Sequence, residues 1–187
     1  MRSPATAFTF VLVLCLCACR TTPQAPSTPL ENDLLPFVLA DQQGMLTARM
    51  PAEPQVERES IETAHGALDS VTYSSEVSDV LFVVTVNLFP EGALDPASSL
   101  GSLEAARDAS LGSTGGEITQ ERVTEVDGLT ALEMTVLVEG GAYRTRMIVA
   151  GTRMYQILVA STKEEDVHTE RASAFLDSVR IGGGGEV

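Results

Sequence analysis

Over much of this chain, hydrophobic and polar positions follow the patterns of β-strands. Residues 80–89 (VLFVVTVNLF) are rich in β-branched side chains and are apolar at odd and even positions alike, which predicts a central strand covered on both faces. Residues 56–63 and 68–77 also have strand patterns and flank the turn dipeptide His65-Gly66. They therefore predict a hairpin that leads into the central strand.

A second series of strand patterns follows, interrupted by short turns. Asp127-Gly128, Gly140-Gly141 and Gly151-Thr152 each predict a tight turn between antiparallel strands. The strands that these turns separate are predicted over residues 117–126, 129–138, 142–150 and 153–160. Together they form an antiparallel meander.

Two-residue turns would set the registers of these strands and divide their side chains between two faces. One face is a predicted core face, consisting of Leu132, Met134, Val136, Val138, Tyr143, Met147, Val149, Met154 and Leu158. The opposite face is mixed, consisting of Glu133, Thr135, Leu137, Arg144, Arg146, Ile148, Tyr155, Ile157 and Val159. The mixture predicts a second layer that covers only part of this face.

Two segments have helical patterns. Asp95 and Pro96 predict the start of the first helix and Gly112 its end, with a buried stripe of Leu100, Leu103, Ala106 and Ser110. Thr162 and Glu165 form a capping-box pattern for the second, whose stripe is Ala172, Phe175, Leu176 and Val179. The sum of the elements predicts an α+β fold, an antiparallel β-sheet with helices packed on it.

The start of the chain has the features of a bacterial lipoprotein signal. Arg2 is basic, and residues 7–16 form a short apolar run. A membrane-spanning helix needs about twenty apolar residues, so residues 1–18 are expected to be a secretory signal peptide. The segment LCAC, which ends at Cys19, resembles the lipobox of bacterial lipoproteins. This resemblance implies that Cys19 carries a diacylglyceryl group and an amide-linked acyl chain such as palmitate, and several acyl chains make a stable anchor.

The chain after the signal divides into three predicted parts. Residues 19–35 comprise the lipidated cysteine and a tether in which every third residue from Pro23 to Pro29 is proline, a spacing that suits polyproline structure. Residues 36–181 form one sandwich domain, and residues 182–187 form a flexible glycine-rich tail. Arg20, rather than Asp, follows the cysteine, and by resemblance to lipoprotein sorting in Gram-negative bacteria this favours the outer membrane. We therefore expect a cell-envelope protein, lipid-anchored in the outer membrane and facing the periplasm.

The order of elements (hairpin, apolar strand, helix, antiparallel meander, final helix) resembles the PsbP-like fold. The ending FLDSVRI, residues 175–181, is similar to the Phe-x-x-Ser-Phe-Arg-hydrophobic ending of bacterial PsbP-like proteins of unknown function. Arg153-Met-Tyr155 on the penultimate strand is also similar to that group. The resemblance covers about residues 36–181 and implies an α/β/α sandwich. It implies no functional residue, because the shared motifs are structural.

Composition narrows the classes of partner. The formal net charge is −14, and an acidic surface repels phosphate backbones and anionic headgroups. We therefore expect no nucleic-acid binding, and we expect contact with the membrane to be made by the N-terminal lipid. Cleavage before Cys19 leaves one cysteine, so no intramolecular disulfide is expected and the fold depends on its core.

Few residues have the spacing of a catalytic or metal-binding motif. His65 is expected in a turn and His168 half-buried at a helix start, and neither belongs to a metal-ligand pattern. The glycine-rich segment 112–116 lacks the lysine and the following helix of a phosphate-binding loop. No Gly-x-Ser-x-Gly motif supplies a serine nucleophile. We expect no metal and no other cofactor.

The remaining candidate site is a group of polar side chains on the mixed face, Glu133, Arg144, Arg146 and Tyr155. Arginines in a cleft can hold a carboxylate or a phosphate, so these are candidate ligand-binding residues. The alternative is an ion-pair cluster at the rim of a covering helix, which is the more ordinary arrangement.

These patterns favour a non-catalytic, lipid-anchored envelope protein that binds a protein partner or a small ligand through its sandwich domain. One alternative is a hydrolytic enzyme with acidic catalysts, which requires two carboxylates in one pocket with separated pKa values. Another is a structural accessory subunit of a membrane complex, which would expose a large apolar patch when alone.

Overall fold

The computed structural model describes residues 34–41, 45–63, 66–95 and 98–182. In chain order its elements are β1 Phe37–Ala40, β2 Leu46–Met50, β3 Gln55–Thr63, β4 Gly66–Val77, β5 Val80–Leu88, α1 Ser99–Thr114, β6 Glu117–Val126, β7 Leu129–Val138, β8 Gly141–Ala150, β9 Arg153–Ser161, a 3₁₀ helix Glu164–His168, α2 Glu170–Asp177 and β10 Arg180–Ile181. The predicted signal peptide, Cys19 and the proline-rich segment lie outside the described residues, as do residues 183–187.

Seven antiparallel strands form the main sheet, in the order β3-β4-β5-β9-β8-β7-β6. The sheet consists of two meanders, β3 to β5 and β6 to β9, which join where β5 pairs with β9. The predicted hairpin and the interior position of β5 are confirmed, but Gly66, which was predicted in the turn, begins β4 and pairs with Thr63. Along β5, fully buried positions such as Val84 mostly alternate with partly buried ones.

Different layers cover the two faces of the main sheet. α1 packs on β7 and β8 over the predicted core face, and Val138 is the one member of that face that is only partly buried. The 3₁₀ helix, α2 and a small sheet in the order β1-β2-β10 cover the mixed face. There the rings of Phe82 and Phe175 meet edge to face, with centroids 5.4 Å apart. The predicted α+β fold class is confirmed.

The packed domain extends slightly beyond residues 36–181. Leu34 and Leu35, which the sequence assigned to the tether, pack in the core on the mixed face. Gly182, which the sequence assigned to the tail, donates its N–H to the Met45 carbonyl at 2.7 Å. Apolar contact therefore holds Leu34 and Leu35 before the predicted start of the domain, and a backbone hydrogen bond holds Gly182 after its predicted end.

Two of the three predicted meander turns are confirmed, and the third is displaced. Its turn residues are Glu139 and Gly140, because Val138 pairs with Gly141. Gly140 has a φ of 87°, which favours glycine, whereas a Cβ at Gly141 would collide with the Ser161 carbonyl oxygen. Relative to the prediction, the last residue before the turn and the first residue after it each lie one position earlier in the chain. Because both strands shift together, every side chain keeps its predicted face.

The predicted start and end of α1 were wrong. The Ser98 hydroxyl accepts the Gly101 N–H at 3.0 Å and begins the helix, and Gly115 ends it with a φ of 66°. Leu103 is buried as predicted, whereas Leu100 in the first turn is exposed. The helix starts later than predicted because Ser98 occupies the capping position and satisfies the N–H of the third helical residue.

The predicted capping box of the last helix was also wrong, because that segment is divided in two. Ser161 donates its hydroxyl to Asp166 at 2.9 Å and thereby holds the 3₁₀ helix, which buries Val167 and leaves His168 exposed. Thr169 then begins α2 by accepting the Ala172 N–H at 3.3 Å. The predicted apolar stripe is buried in full.

The two leucines of α1 provide a matched test of the packing. Leu103→Ala is expected to lower the free energy of unfolding by about 2–5 kcal/mol, because it leaves a cavity between α1 and the sheet. Leu100→Ala removes the same atoms from an exposed position and is expected to cost about 1 kcal/mol or less. Urea unfolding followed by circular dichroism measures both, and equal losses would contradict the described packing.

Candidate functional site

Three adjacent strands bring charged side chains together under α2. Arg122 of β6 is directly opposite Glu133 of β7, and Glu133 is directly opposite Arg146 of β8. Arg144 is two residues from Arg146 and therefore lies on the same face. We call Arg122, Glu133, Arg144 and Arg146 the Glu133 cluster. Directly opposed side chains on one face have Cβ atoms about 5 Å apart, which allows three guanidinium groups to surround one carboxylate.

The carboxylate of Glu133 accepts five N–H groups from the three arginines. Its Oε1 accepts Nε and Nη2 of Arg144 at 3.1 and 2.7 Å, and Nη2 of Arg122 at 3.0 Å. Its Oε2 accepts Nε and Nη2 of Arg146 at 3.0 and 2.7 Å. A carboxylate offers about four lone-pair sites, so this one is saturated.

α2 closes over the cluster and is bonded to it. Arg146 donates to the Leu176 carbonyl at 2.8 Å and to the Asp177 carboxylate at 2.9 Å, while Arg144 donates to the Ser173 hydroxyl at 3.2 Å. The side chain of Glu133 is only 6% exposed, whereas that of Arg122 is 61% exposed. The geometry is thus an ion-pair network beneath a covering helix, with Arg122 on its solvent side.

The environment of Glu133 keeps its carboxyl group ionised. Burial alone raises its pKa, but hydrogen bonds from the three arginines outweigh burial and lower the pKa from 4.5 to about 2. Burial lowers the pKa of Arg146, while Asp177 and Glu133 more than compensate and raise it. A general acid at neutral pH needs a raised carboxyl pKa, and Glu133 has the opposite.

Tyr155 shares the sheet face but belongs to the apolar core. It is fully buried, and it pairs with Ile148 on β8 and Val86 on β5. Burial raises the pKa of its hydroxyl. Among the described residues, no hydrogen bond joins Tyr155 to the Glu133 cluster. The structure therefore brings together three of the four predicted residues and assigns the fourth to packing.

A shallow polar cleft of about 360 Å³ opens beside the cluster, between β6 and the segment that joins α2 to β10. Its charged lining consists of Arg122, Glu125, Asp127, Arg146, Asp177 and Arg180. Three of these side chains are positively charged and three are negatively charged, and several of them form hydrogen bonds within the domain. Asp127 accepts the Ile181 N–H at 2.8 Å, and Arg180 donates to the carbonyls of Asp177 and Val179.

Sequence reasoning missed Arg122 and Asp177. Arg122 was detectable, because extending the Asp127-Gly128 hairpin register along β6 places it opposite Glu133. Asp177 carried no such signal, because its position depends on how α2 packs over the sheet.

The described residues offer no evident metal centre. No group of three or more His, Cys, Asp or Glu side chains in this part of the chain is placed to hold a metal ion. His168 is exposed on the 3₁₀ helix, contrary to the expected half-burial, and His65 lies outside the described residues. In the same ranges, no helix has the length and apolar character needed to cross a membrane.

Removing the charge of Glu133 tests the network. Glu133→Gln leaves three arginines without their shared anion, so the free energy of unfolding at pH 7 is expected to fall by about 3–5 kcal/mol. The control Glu121→Gln alters an ion pair with Arg107 near the surface and is expected to cost about 1 kcal/mol or less. Urea unfolding measures both variants, and equal losses would contradict the structural role.

The same measurement at lower pH examines the lowered pKa. Protons bind the unfolded chain near pH 4.5 but the folded chain only near pH 2, so stability from Glu133 is lost as the pH falls between these values. The stability difference between the wild type and Glu133→Gln is therefore expected to be constant above about pH 5 and to shrink below it. A difference that persisted unchanged in acid would contradict the assignment.

Comparison with known proteins identifies the fold. No protein-family model and no curated protein sequence matches this chain. The solution structure of cyanobacterial PsbP (CyanoP) from Synechocystis sp. PCC 6803 is similar, with a TM-score of 0.50 and 14% identity over 85% of this chain and 98% of that chain. The crystal structure of PA94, a protein of unknown function from Pseudomonas aeruginosa, has a TM-score of 0.34 and 10% identity over 71% and 85% of the respective chains. The likeness to the cyanobacterial protein establishes the fold alone: this chain has a PsbP-like fold.

Proposed function

We propose that this chain is a non-catalytic lipoprotein of a bacterial cell envelope, whose PsbP-like domain binds a protein partner or a small ligand. The observation that supports the non-catalytic part most directly is the saturation of Glu133. The carboxylate accepts five N–H groups, is buried, and has a pKa of about 2. The acidic residue at the centre of the candidate site is thus committed to holding strands and helix together.

The same geometry argues against the hydrolase alternative at this position. An acid–base pair needs one carboxyl group that retains its proton near neutral pH and a second that does not. Arg146 is bonded to both Glu133 and Asp177, and its hydrogen bonds contribute to the lowered pKa of Glu133. Glu133 is therefore not set up as the proton donor of such a pair.

The exposed apolar residues favour limited contact surfaces over one permanent apolar interface. The large exposed apolar side chains of the described residues are Phe37, Val38, Val56, Ile61, Leu100 and Val123. They are distributed over β1, β3, α1 and β6, and the two on β3 point to opposite faces. A permanent subunit buries a larger continuous apolar patch, so this distribution supports partner or ligand binding over the accessory-subunit alternative.

Attachment to the membrane is proposed from the sequence around Cys19. An apolar run too short to span a bilayer, followed by a lipobox-like segment, supports cleavage and lipidation at this cysteine. Because the chain has a net charge of −14, its protein surface is not expected to adhere to anionic lipids. The lipid is therefore proposed as the sole means of attachment.

Replacing single cysteines tests the anchor. Cys19→Ala is expected to move the chain from the membrane fraction to the soluble fraction, or to leave it unprocessed, and to remove the mass of the lipid. Cys15→Ala and Cys17→Ala are matched controls within the same segment and are expected to leave lipidation intact. Fractionation with intact-mass spectrometry reads out both properties. A lipidated Cys19→Ala chain would contradict the proposed site.

Chemical cross-linking in native membranes tests for a partner. We expect one dominant cross-linked species that depends on Cys19, because anchoring raises the local concentration of the domain beside its partner. The Cys19→Ala chain, expressed at the same level, is the control. Hydrolysis of an envelope substrate by the purified chain, together with its loss in Glu133→Gln at a temperature where that variant remains folded, would instead support the enzymatic alternative.

A further inference from the structure

β3 is an unusually open edge of the main sheet. Its residues are exposed from Gln55 to Glu62, and among the described strands it pairs only with β4. All nine of its residues pair in an uninterrupted register. Natural edge strands are commonly protected by bulges, prolines or lysines, and β3 contains none of these.

The opposite edge of the sheet differs from β3. The register of β6 is interrupted between Ile118 and Gln120. Its charged side chains are also tied back to the domain, because Arg122 pairs with Glu133 and Glu121 pairs with Arg107. The contrast singles out β3 as the edge that is available for strand pairing.

The backbone of β3 presents alternate hydrogen-bonding groups outward. Thr63 and Gly66 pair across a two-residue connection, which makes them a hydrogen-bonded pair. Alternation along the strand then directs the N–H and C=O groups of Val56, Arg58, Ser60 and Glu62 away from β4. These groups form a template for one additional antiparallel strand.

The charges of β3 match those of a second copy in one register. A two-fold axis perpendicular to the sheet pairs residues that lie on the same face. When the axis passes beside Ser60, Arg58 of each copy meets Glu62 of the other. In this register Glu57 meets Thr63 and Glu59 meets Ile61, so no carboxylate directly opposes another.

The neighbouring registers are less favourable. An axis beside Glu59 opposes that residue with its own copy, and an axis beside Arg58 opposes two arginines and also sets Glu57 against Glu59. An axis beside Ile61 carries Arg58 beyond the end of the strand. Neither Arg58 nor Glu62 has an ion-pair partner in the described part of the chain, so both charges are available to the second copy.

We propose that this chain forms a two-fold dimer by antiparallel pairing of β3 with β3 of a second copy, centred on Ser60. The pairing joins two seven-stranded sheets into one continuous sheet. Repulsion between the acidic domains is screened beyond about 8 Å at physiological ionic strength. The inference goes beyond the proposed function, because it depends neither on the lipid anchor nor on another partner.

Charge reversal on β3 tests the register directly. Arg58→Glu opposes two carboxylates in each symmetric pair, and Glu62→Arg opposes two guanidinium groups. Each single variant is expected to raise the dimer dissociation constant about tenfold or more, since like charges directly opposite one another are destabilising. The double variant R58E/E62R restores both pairs with inverted charges and is expected to dimerise like the wild type.

Glu57→Arg is the matched control. It changes the net charge by the same amount as Glu62→Arg, but its position faces Thr63 of the second copy, so dimerisation is expected to be retained. Sedimentation velocity of the detergent-solubilised full chain gives the dissociation constants, and circular dichroism verifies that each variant is folded. Repeating the series in the Cys19→Ala chain separates dimerisation of the domain from any effect of the anchor.

The outcomes distinguish the proposal from other modes of association. Loss of the dimer in both single variants, with recovery in the double variant, supports pairing through β3 in this register. A wild-type chain that remains monomeric up to about 1 mM overturns the proposal. A dimer that is insensitive to both single reversals also overturns it, because that dimer must use another surface.

Discussion

The part of the domain formed by β6, β7, β8 and α2 depends on one constraint, the buried charge of Glu133. An ionised carboxylate without partners is costly inside a protein, so its position requires all three arginines to be held nearby. Those arginines come from β6 and β8, and two of them extend to α2. One carboxylate therefore couples the register of three strands to the placement of the helix above them. This coupling gives the charged residues on the mixed face a structural role.

The main sheet is the middle layer of a sandwich. The helices and the small sheet that pack on its two faces determine which of its surfaces remain exposed. Strands β8 and β9 are buried on both faces, in the core cluster that includes α1 on one side and in the cluster that includes α2 and the small sheet on the other. The outer strands β3 and β6 lie at the margins of this cover and are mostly exposed. The exposed surfaces of the described domain thus lie chiefly at the two edges of the main sheet and at the polar cleft beside α2.

The strands could be predicted from sequence because their signals are local. Side chains alternate with a period of two, so even the displaced turn at Gly140 left every residue on its predicted face. Helix starts were less predictable, because Ser98 and Thr169 compete with other capping residues nearby, and tertiary packing decides between them. The pairing of β5 with β9 could not be predicted, since the chain passes through α1 to the far edge of the sheet before it returns. The proximity of Arg144 and Glu133 was predictable because a short turn joins their strands. The contact with Asp177 was not, because it depends on how α2 packs over the sheet.

The small sheet joins the two ends of the described domain. Ile181 pairs with Leu46, and the hydrogen bond from the Arg49 N–H to the Ser178 hydroxyl links residues 129 positions apart. The core beneath this sheet is completed only when the last strand is in place, and contacts so distant in sequence form slowly. The two-residue strand β10 therefore closes the small sheet against β2, and the two ends of the described domain are joined only when the whole chain is present.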